Sequence, residues 1–164
     1  MAFLTDIVAS WRRPGAVVRR HLDRGRSEPF AFTLLLAFLI LAFIAQWPEV
    51  ARTTSGRPEV PMAPHLLGRA MALLATIPLW YGLAALGRLG AQVLGGQGDW
   101  YGARVALFWA LDTVTPLVLL AGLVAGLIGP GVPLTLVGVL TFAAFIAFWV
   151  MNLRETERGQ PEWT

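Results

Sequence analysis

The chain has 164 residues, of which 56% are hydrophobic and only 14% are charged, and its mean hydropathy is +0.62. This balance excludes an ordinary soluble domain, because a chain of this length has too little polar surface to cover so many apolar side chains. Cysteine is absent, which excludes disulfides, thiolate metal sites, iron–sulfur clusters and cysteine nucleophiles.

The first 29 residues form a basic lead-in. In residues 2–13, AFLTDIVASWRR, the apolar side chains recur at helical spacing, which predicts an amphipathic helix lying flat among lipid headgroups. Its apolar face consists of Phe3, Leu4, Ile7, Val8 and Trp11. Pro14 interrupts the helix. The side chains that we expect to contact anionic headgroups are Arg12, Arg13, Arg19 and Arg20.

Four apolar stretches are long enough to cross a hydrocarbon core of ~30 Å. They cover about residues 30–47, 66–88, 103–129 and 134–153. Pro48 is expected to end the first span, and residues 49–65 are expected to form an irregular, proline-rich loop. A kink is expected at Pro78 in the second span. Residues 87–104 are predicted to form a loop with a short amphipathic start.

These patterns predict an all-α protein, a polytopic transmembrane helical bundle of four spans preceded by an amphipathic interfacial helix. The lead-in covers residues 1–29, the membrane domain 30–153 and a polar tail 154–164. Arginines near the span ends are more numerous on the side of the amino terminus, so we expect both termini in the cytoplasm and the protein in a bacterial inner membrane. On that side lie Arg12, Arg13, Arg19, Arg20, Arg24, Arg26, Arg88, Arg104, Arg154 and Arg158, and on the other Arg52, Arg57 and Arg69.

The third span contains Asp112, the one acidic residue deep inside an apolar run. A charged carboxylate near the middle of a bilayer costs ~2.5 to 3.5 kcal/mol on insertion scales, so its presence needs a reason. One interpretation is a protonatable transport site, with Thr115, Pro116 and Tyr81 around a crevice at the membrane midplane. The alternative is a carboxyl that fastens helices together, either neutral or paired with an arginine. The arginines considered for such a pair are Arg69, Arg88 and Arg104.

Residues 96–99 spell G-x-G-D, a string found in intramembrane aspartyl proteases. Those enzymes need a second carboxylate on a neighbouring span, and the preceding span has none. The two histidines fall on opposite sides of the membrane, and no serine lies within a span. We therefore expect no catalytic residue, no metal and no cofactor. Nucleic acid is also not expected as a partner, because the arginines flank the spans without an aromatic-interleaved patch.

Small residues follow Asp112 at helical spacing. Gly122 and Gly126 form a GxxxG motif, which lets two helices approach closely, and Gly129 continues the same stripe. We favour packing within this chain over dimerisation as the role of these glycines.

The order of these features resembles the Yip family, the Ypt/Rab-interacting-protein group of integral membrane proteins, and in particular its short bacterial members. The matching features are the basic lead-in with Pro14, Arg19 and Arg20, the RGRSE stretch at 24–28, the LGGQGDW loop at 94–100 and the ARVALFWALDTVTPL segment at 103–117. The resemblance implies a helical membrane bundle with a cytoplasmic amino terminus and no enzymatic activity. Eukaryotic relatives act in vesicle traffic through small GTPases. This chain departs from them in its shorter cytoplasmic region and in four predicted spans rather than five.

The leading functional hypothesis is a non-catalytic membrane protein of the Yip type that binds or organises other membrane components. Its expected partners are the bilayer, anionic headgroups and other membrane proteins. One alternative is a small transporter or channel component that uses Asp112. Another is an accessory subunit of a larger membrane complex.

Overall fold

A computed structural model describes residues 2–55 and 62–157, without the side chains of Ala2, Phe3 and Pro14. Phe3, which we predicted on an apolar face, and the tail from 158 onward therefore lie outside the described part. The helices are α1 (Ala2–Arg12), α2 (Pro14–Leu22), α3 (Glu28–Ala45), α4 (Trp47–Thr54), α5 (Met62–Ala75), α6 (Ile77–Val93), α7 (Trp100–Leu127) and α8 (Val132–Thr156).

The predicted all-helical architecture with four membrane-length spans is confirmed over the described residues. Four helical stretches are long and apolar enough to cross a bilayer, Glu28–Thr54, Met62–Val93, Trp100–Leu127 and Val132–Thr156. The first two each consist of two helices that meet at a single non-helical residue, Gln46 and Thr76 respectively.

The prediction that Pro48 ends the first span is wrong. Pro48 lies in the first turn of α4, where a proline is tolerated because its missing N–H would have no acceptor within the helix. The irregular loop predicted for residues 49–65 is accordingly helical up to Thr54 and again from Met62. Residues 56–61 lie outside the described part of the chain.

The second span is interrupted close to Pro78, where we predicted a kink. α5 ends at Ala75 and α6 starts at Ile77, so Pro78 lies in the first turn of α6. The loop predicted for residues 87–104 is much shorter in the structure, because α6 continues to Val93 and α7 begins at Trp100. Gly87 and Gly90 lower the helix propensity of this part of α6, and the tertiary ion pair of Arg88 with Glu157 stabilises it.

Helix α7 forms the centre of the molecule. Asp99 caps its amino end, where the carboxylate accepts a hydrogen bond of 2.7 Å from the N–H of Gly102. Every side chain from Tyr101 to Thr115 except that of Arg104 is buried. α3 and α8 make the most extensive contacts with α7. Pro116 lies inside α7 without dividing it.

The amino-terminal helices α1 and α2 form a hairpin that packs against α7 and α8. Val17 and Val18 of α2 are completely buried, and Ile7 of α1 belongs to the same core. The lead-in is therefore a folded part of the bundle as well as a basic segment. α5, in contrast, contributes no buried residue.

Candidate functional site

Asp112 is completely buried, and neither carboxylate oxygen has a hydrogen-bond partner among the described residues. The arginines considered as its partners are engaged elsewhere. Arg69 pairs with Glu49 at 2.8 Å and Arg88 with Glu157 at 3.2 Å, while Arg104 pairs with Glu28. The interpretation in which one of these three arginines neutralises Asp112 is therefore wrong. Each of them finds an acidic residue near the end of a span, at a lower desolvation cost than Asp112 would require.

The other members of the predicted crevice do not converge on Asp112. The Thr115 hydroxyl donates to the carbonyl of Leu111 at 3.2 Å within α7, and Pro116 is exposed. The ring of Tyr81 packs edge-on against Phe108, with 5.3 Å between the centroids. No hydrogen bond joins any two of Asp112, Thr115, Pro116 and Tyr81.

The glycines of α7 lie against the first span of the same chain. A Cβ atom at Gly122 would overlap the carbonyl of Ala45, and one at Gly126 would overlap Pro48. Gly129, with a φ of +94°, lies under the guanidinium of Arg52. The break between α3 and α4 is thus the surface on which the GxxxG segment rests.

The hairpin is anchored to α7 by polar contacts that sequence reasoning missed. The indole Nε1 of Trp109 donates to the Ser10 hydroxyl at 2.9 Å, and the indole Nε1 of Trp11 donates to the carbonyl of Thr113 at 3.1 Å. Arg20 pairs with Asp6 at 3.0 Å across the hairpin. The two tryptophan contacts join residues about 100 positions apart in the chain, so no local sequence pattern indicates them.

Helix α1 therefore turns part of its polar side inward. Asp6 and Ser10 are buried, whereas Leu4 is 70% exposed, Val8 61% and Trp11 47%. An outward apolar face of this kind suits contact with lipid chains rather than with water.

His21 of α2 is buried, and both of its ring nitrogens are unpartnered among the described residues. Its ring packs on Trp109 and Phe30, with centroid distances of 4.6 and 5.3 Å. Burial, followed by the nearby charge of Arg24, lowers the pKa of His21 from 6.5 to about 4. The imidazole is thus neutral at physiological pH.

A second anchor, also missed from the sequence, joins the end of α8 to the loop between α6 and α7. The Glu157 carboxylate accepts a hydrogen bond of 2.7 Å from the N–H of Gly98 and one of 3.2 Å from Arg88. The glycine-rich loop could have indicated an anion contact. Glu157 lies 59 residues further along the chain, so no local pattern identifies it as the anion. The G-x-G-D string therefore has two structural roles. Asp99 caps α7, and the N–H of Gly98 contacts the Glu157 carboxylate.

Comparison with known protein families gives a match over nearly the whole chain. The family model of the Yip1 domain matches residues 8–163, which covers α1 from its middle and all four spans. The chain belongs to the Yip1-domain family. Neither a curated protein nor a solved structure matches it.

Membership of the Yip1-domain family makes this chain an integral, multi-pass membrane protein. Yip1-domain proteins are in general non-enzymatic membrane proteins. The match supplies no functional residues, so the properties of a site in this member have to be argued from its own side chains.

The charges of this Yip1-domain protein concentrate where α3 and α7 begin and α8 ends. Four of the six ion pairs among the described residues lie there, and a fifth joins α1 to α2. They are Asp6–Arg20, Glu155–Arg19, Asp99–Arg26, Glu28–Arg104 and Glu157–Arg88. Five exposed arginines of the described part have no such partner. One of them, Arg52, lies on α4, and the other four are Arg12, Arg13, Arg24 and Arg154. We refer to these four as the unpaired arginines.

Proposed function

We propose that this protein is a non-catalytic organiser of a bacterial inner membrane, which holds anionic lipid at its cytoplasmic end and binds other membrane proteins. The observation that carries the proposal is the combination of the unpaired arginines with the outward apolar face of α1. A surface with free cations beside exposed apolar side chains matches the border between anionic headgroups and lipid chains.

The four arginines predicted to contact lipid differ in their surroundings. Arg12 and Arg13 are exposed and have no ion pair, whereas Arg19 is paired with Glu155 and Arg20 with Asp6. An arginine that is already neutralised within the chain gains less from a lipid phosphate than one that is free. We therefore place the main lipid contact at Arg12, Arg13 and Arg24, with a smaller contribution from Arg19 and Arg20.

The lipid contact is tested by counting lipids that stay bound. The full chain is purified in mild detergent from membranes that contain phosphatidylglycerol and phosphatidylethanolamine, and native mass spectrometry compares the retained lipids. Near a charged surface each arginine contributes about 1 kcal/mol, or roughly fivefold in affinity.

The variant Arg12→Gln/Arg13→Gln is expected to lose most of the preference for phosphatidylglycerol. The matched control, Arg19→Gln/Arg20→Gln, removes the same charge and is expected to lose much less. Equal retention of both lipids by the wild-type chain would refute the lipid contact.

Binding to other membrane proteins is tested by purification of a tagged chain in the same detergent. A membrane protein that co-purifies at a fixed ratio, and is lost in high salt or in the Arg12→Gln/Arg13→Gln variant, supports the proposal. Purification of the chain with lipid alone would reduce the proposed function to lipid organisation.

The orientation is part of the proposal, because ten arginines on one side against three on the other favour a cytoplasmic location for that side. A phosphatase reporter, active only in the periplasm, is fused after Thr164 and, in a second fusion, at residue 58 between α4 and α5. Activity is expected only from the second fusion. The reverse pattern would place the unpaired arginines in the periplasm and contradict the proposal.

Transport is a second candidate function, supported by the buried and unpartnered carboxyl of Asp112. It requires access of water to this carboxyl during a transport cycle. Fast, pH-dependent labelling of Asp112 by a carbodiimide in intact vesicles would favour transport. If Asp112 does not react with the carbodiimide, the organiser function is favoured over transport.

A further inference from the structure

The loop between α6 and α7 contains three glycines, Gly95, Gly96 and Gly98, which are required for two different reasons. Gly95 adopts a φ of +83°, which favours glycine, but Gly96 and Gly98 are not in the left-handed region. Their lack of a side chain is explained by what lies beside them. A Cβ atom at Gly98 would lie 2.7 Å from Oε1 of Glu157, and one at Gly96 would overlap the same carboxylate. Two glycines therefore make room for an anionic group.

The donors around this space are those that proteins use for anions. The backbone N–H of Gly98 and the guanidinium of Arg88 both point at Oε2 of Glu157, at 2.7 and 3.2 Å. Arg88 also donates to the carbonyl of Gly96 at 3.4 Å, which fixes the guanidinium against the loop. A backbone amide in a glycine-rich turn, together with an arginine, fits carboxylate and phosphate oxygens equally well.

The pair is largely removed from water. The side chain of Arg88 is 11% exposed and that of Glu157 is 10% exposed. Arg88 is the half that is fixed against the loop, since it sits within α6 and donates to the carbonyl of Gly96. Glu157 is the C-cap residue of α8 and reaches the loop from the last turn of that helix.

Exposed apolar side chains flank the loop on both sides. Val93 and Leu94, directly before the glycines, are the most exposed large apolar residues of the described chain, at 87% and 89%. Trp100, directly after the loop, is also exposed. Apolar and tryptophan side chains on both sides of a polar loop are typical of the membrane interface, where phosphate groups are abundant.

We infer that Arg88 and the loop of Gly95 to Gly98 form a binding site for a phosphate group, which Glu157 occupies from within the chain and closes. Departure of Glu157 opens the site to the phosphate of a lipid headgroup or to free phosphate. This site lies on α6 and its following loop, away from Arg12 and Arg13, so the inference does not depend on the proposed function.

The test neutralises the internal occupant and measures binding of phosphate by the full chain. Wild-type and Glu157→Gln chains are reconstituted in nanodiscs of phosphatidylcholine, and inorganic phosphate is titrated by calorimetry. Glu157→Gln is expected to raise the affinity for inorganic phosphate at least tenfold, because a neutral amide binds Arg88 and the N–H of Gly98 more weakly than the carboxylate does and is displaced more easily. The matched control Glu155→Gln lies two residues away and pairs with Arg19, so it is expected to behave like the wild type.

Two further variants show that the gain comes from this site. Adding Gly98→Ala or Arg88→Gln to Glu157→Gln is expected to abolish the gain, since the first fills the space and the second removes the cation. Nanodiscs that contain phosphatidylglycerol separate the two sources. Retention of this lipid by Glu157→Gln, with no gain for inorganic phosphate, would identify a lipid headgroup as the ligand.

The inference is overturned if Glu157→Gln gains neither ligand over the wild type and Glu155→Gln, or if the gain survives Arg88→Gln. If Glu157→Gln does not accumulate as a folded protein, Glu157→Asp replaces it. The aspartate is one methylene shorter and withdraws from the N–H of Gly98, so a smaller gain in phosphate affinity is expected. No gain from a folded Glu157→Asp would equally count against the site.

Discussion

Ser10 and Trp109 lie 99 positions apart, and a buried hydrogen bond of 2.9 Å joins the indole Nε1 of Trp109 to the hydroxyl of Ser10. The Ser10 hydroxyl in turn donates to the carbonyl of Asp6 within α1. This contact holds the amino-terminal hairpin about two turns below the amino end of α7. It explains why a segment with the composition of a surface helix is part of the bundle.

Replacement of Ser10 by alanine is expected to loosen the hairpin. Ser10→Ala removes the acceptor of the indole N–H, and loss of a buried hydrogen bond of this kind costs about 1 to 3 kcal/mol. Thermal unfolding in detergent micelles measures the loss. The control Thr135→Val removes a hydroxyl that bonds only to its own helix on an exposed surface, and it is expected to change stability little. Equal effects of the two variants would show that the Ser10–Trp109 contact adds nothing.

His21 is expected to make stability depend on pH. Its pKa of about 4 in the folded protein lies below the value of 6.5 expected in the unfolded chain. The unfolded state therefore binds the proton more tightly, and stability falls as the pH drops from about 6.5 towards 4. Above about pH 6.5 this group contributes no pH dependence.

The groups that act on His21 are Arg24 and Arg20, which lower its pKa, and Asp6, which raises it. Unfolding curves between pH 4 and 7.5 measure the dependence, with a slope of at most about 1.4 kcal/mol per pH unit. The variant His21→Phe retains an aromatic ring and is expected to flatten the curve over this interval. A wild-type curve that is already flat would contradict the burial of His21.

Alanine at Gly122 or Gly126 is expected to push α7 away from the first span. The added methyl group would overlap the carbonyl of Ala45 or the ring of Pro48, and overpacking of this kind costs about 1 to 3 kcal/mol. Gly138→Ala is the matched control, because nothing lies within 4 Å of the position of its Cβ atom. Unfolding in detergent compares the variants. Loss of a dimer with unchanged monomer stability would instead assign the glycines to an interface between copies.

Asparagine at Asp112 is expected to leave folding intact. The carboxyl has no ion pair and no hydrogen bond among the described residues, so an amide of similar shape removes no contact. The amount of protein in the membrane and its unfolding temperature are measured. Both are expected to agree with the wild-type values within error. The comparison variant Asn152→Leu removes a buried bond of 3.2 Å to the carbonyl of Ala106 and is expected to be less stable. Severe loss of Asp112→Asn from the membrane would indicate a charged partner that the structure does not contain.

Local composition predicted the spans well because a membrane helix has to satisfy its own backbone and be apolar for about 20 residues. The helix break near Pro78 followed from proline chemistry in the same way. Pro48, like Pro78, follows a one-residue break between two helices, so a proline of this kind indicates a break within a span and not its end. In the first turn of α4 a proline continues the span that we expected it to end.

The sequence by itself determined the class of the protein, its four spans and its membership of the Yip1-domain family, because these depend on hydropathy and on the order of segments along the chain. Only the tertiary structure decided which arginines are neutralised, which side of α1 faces the bundle and what the glycines at 96 and 98 accommodate. Each of these depends on partners such as Glu157 and Gly98, which are distant in the chain and close in space. Charge and hydrogen-bond energies fall steeply with distance, so they are set by the fold and not by neighbouring residues.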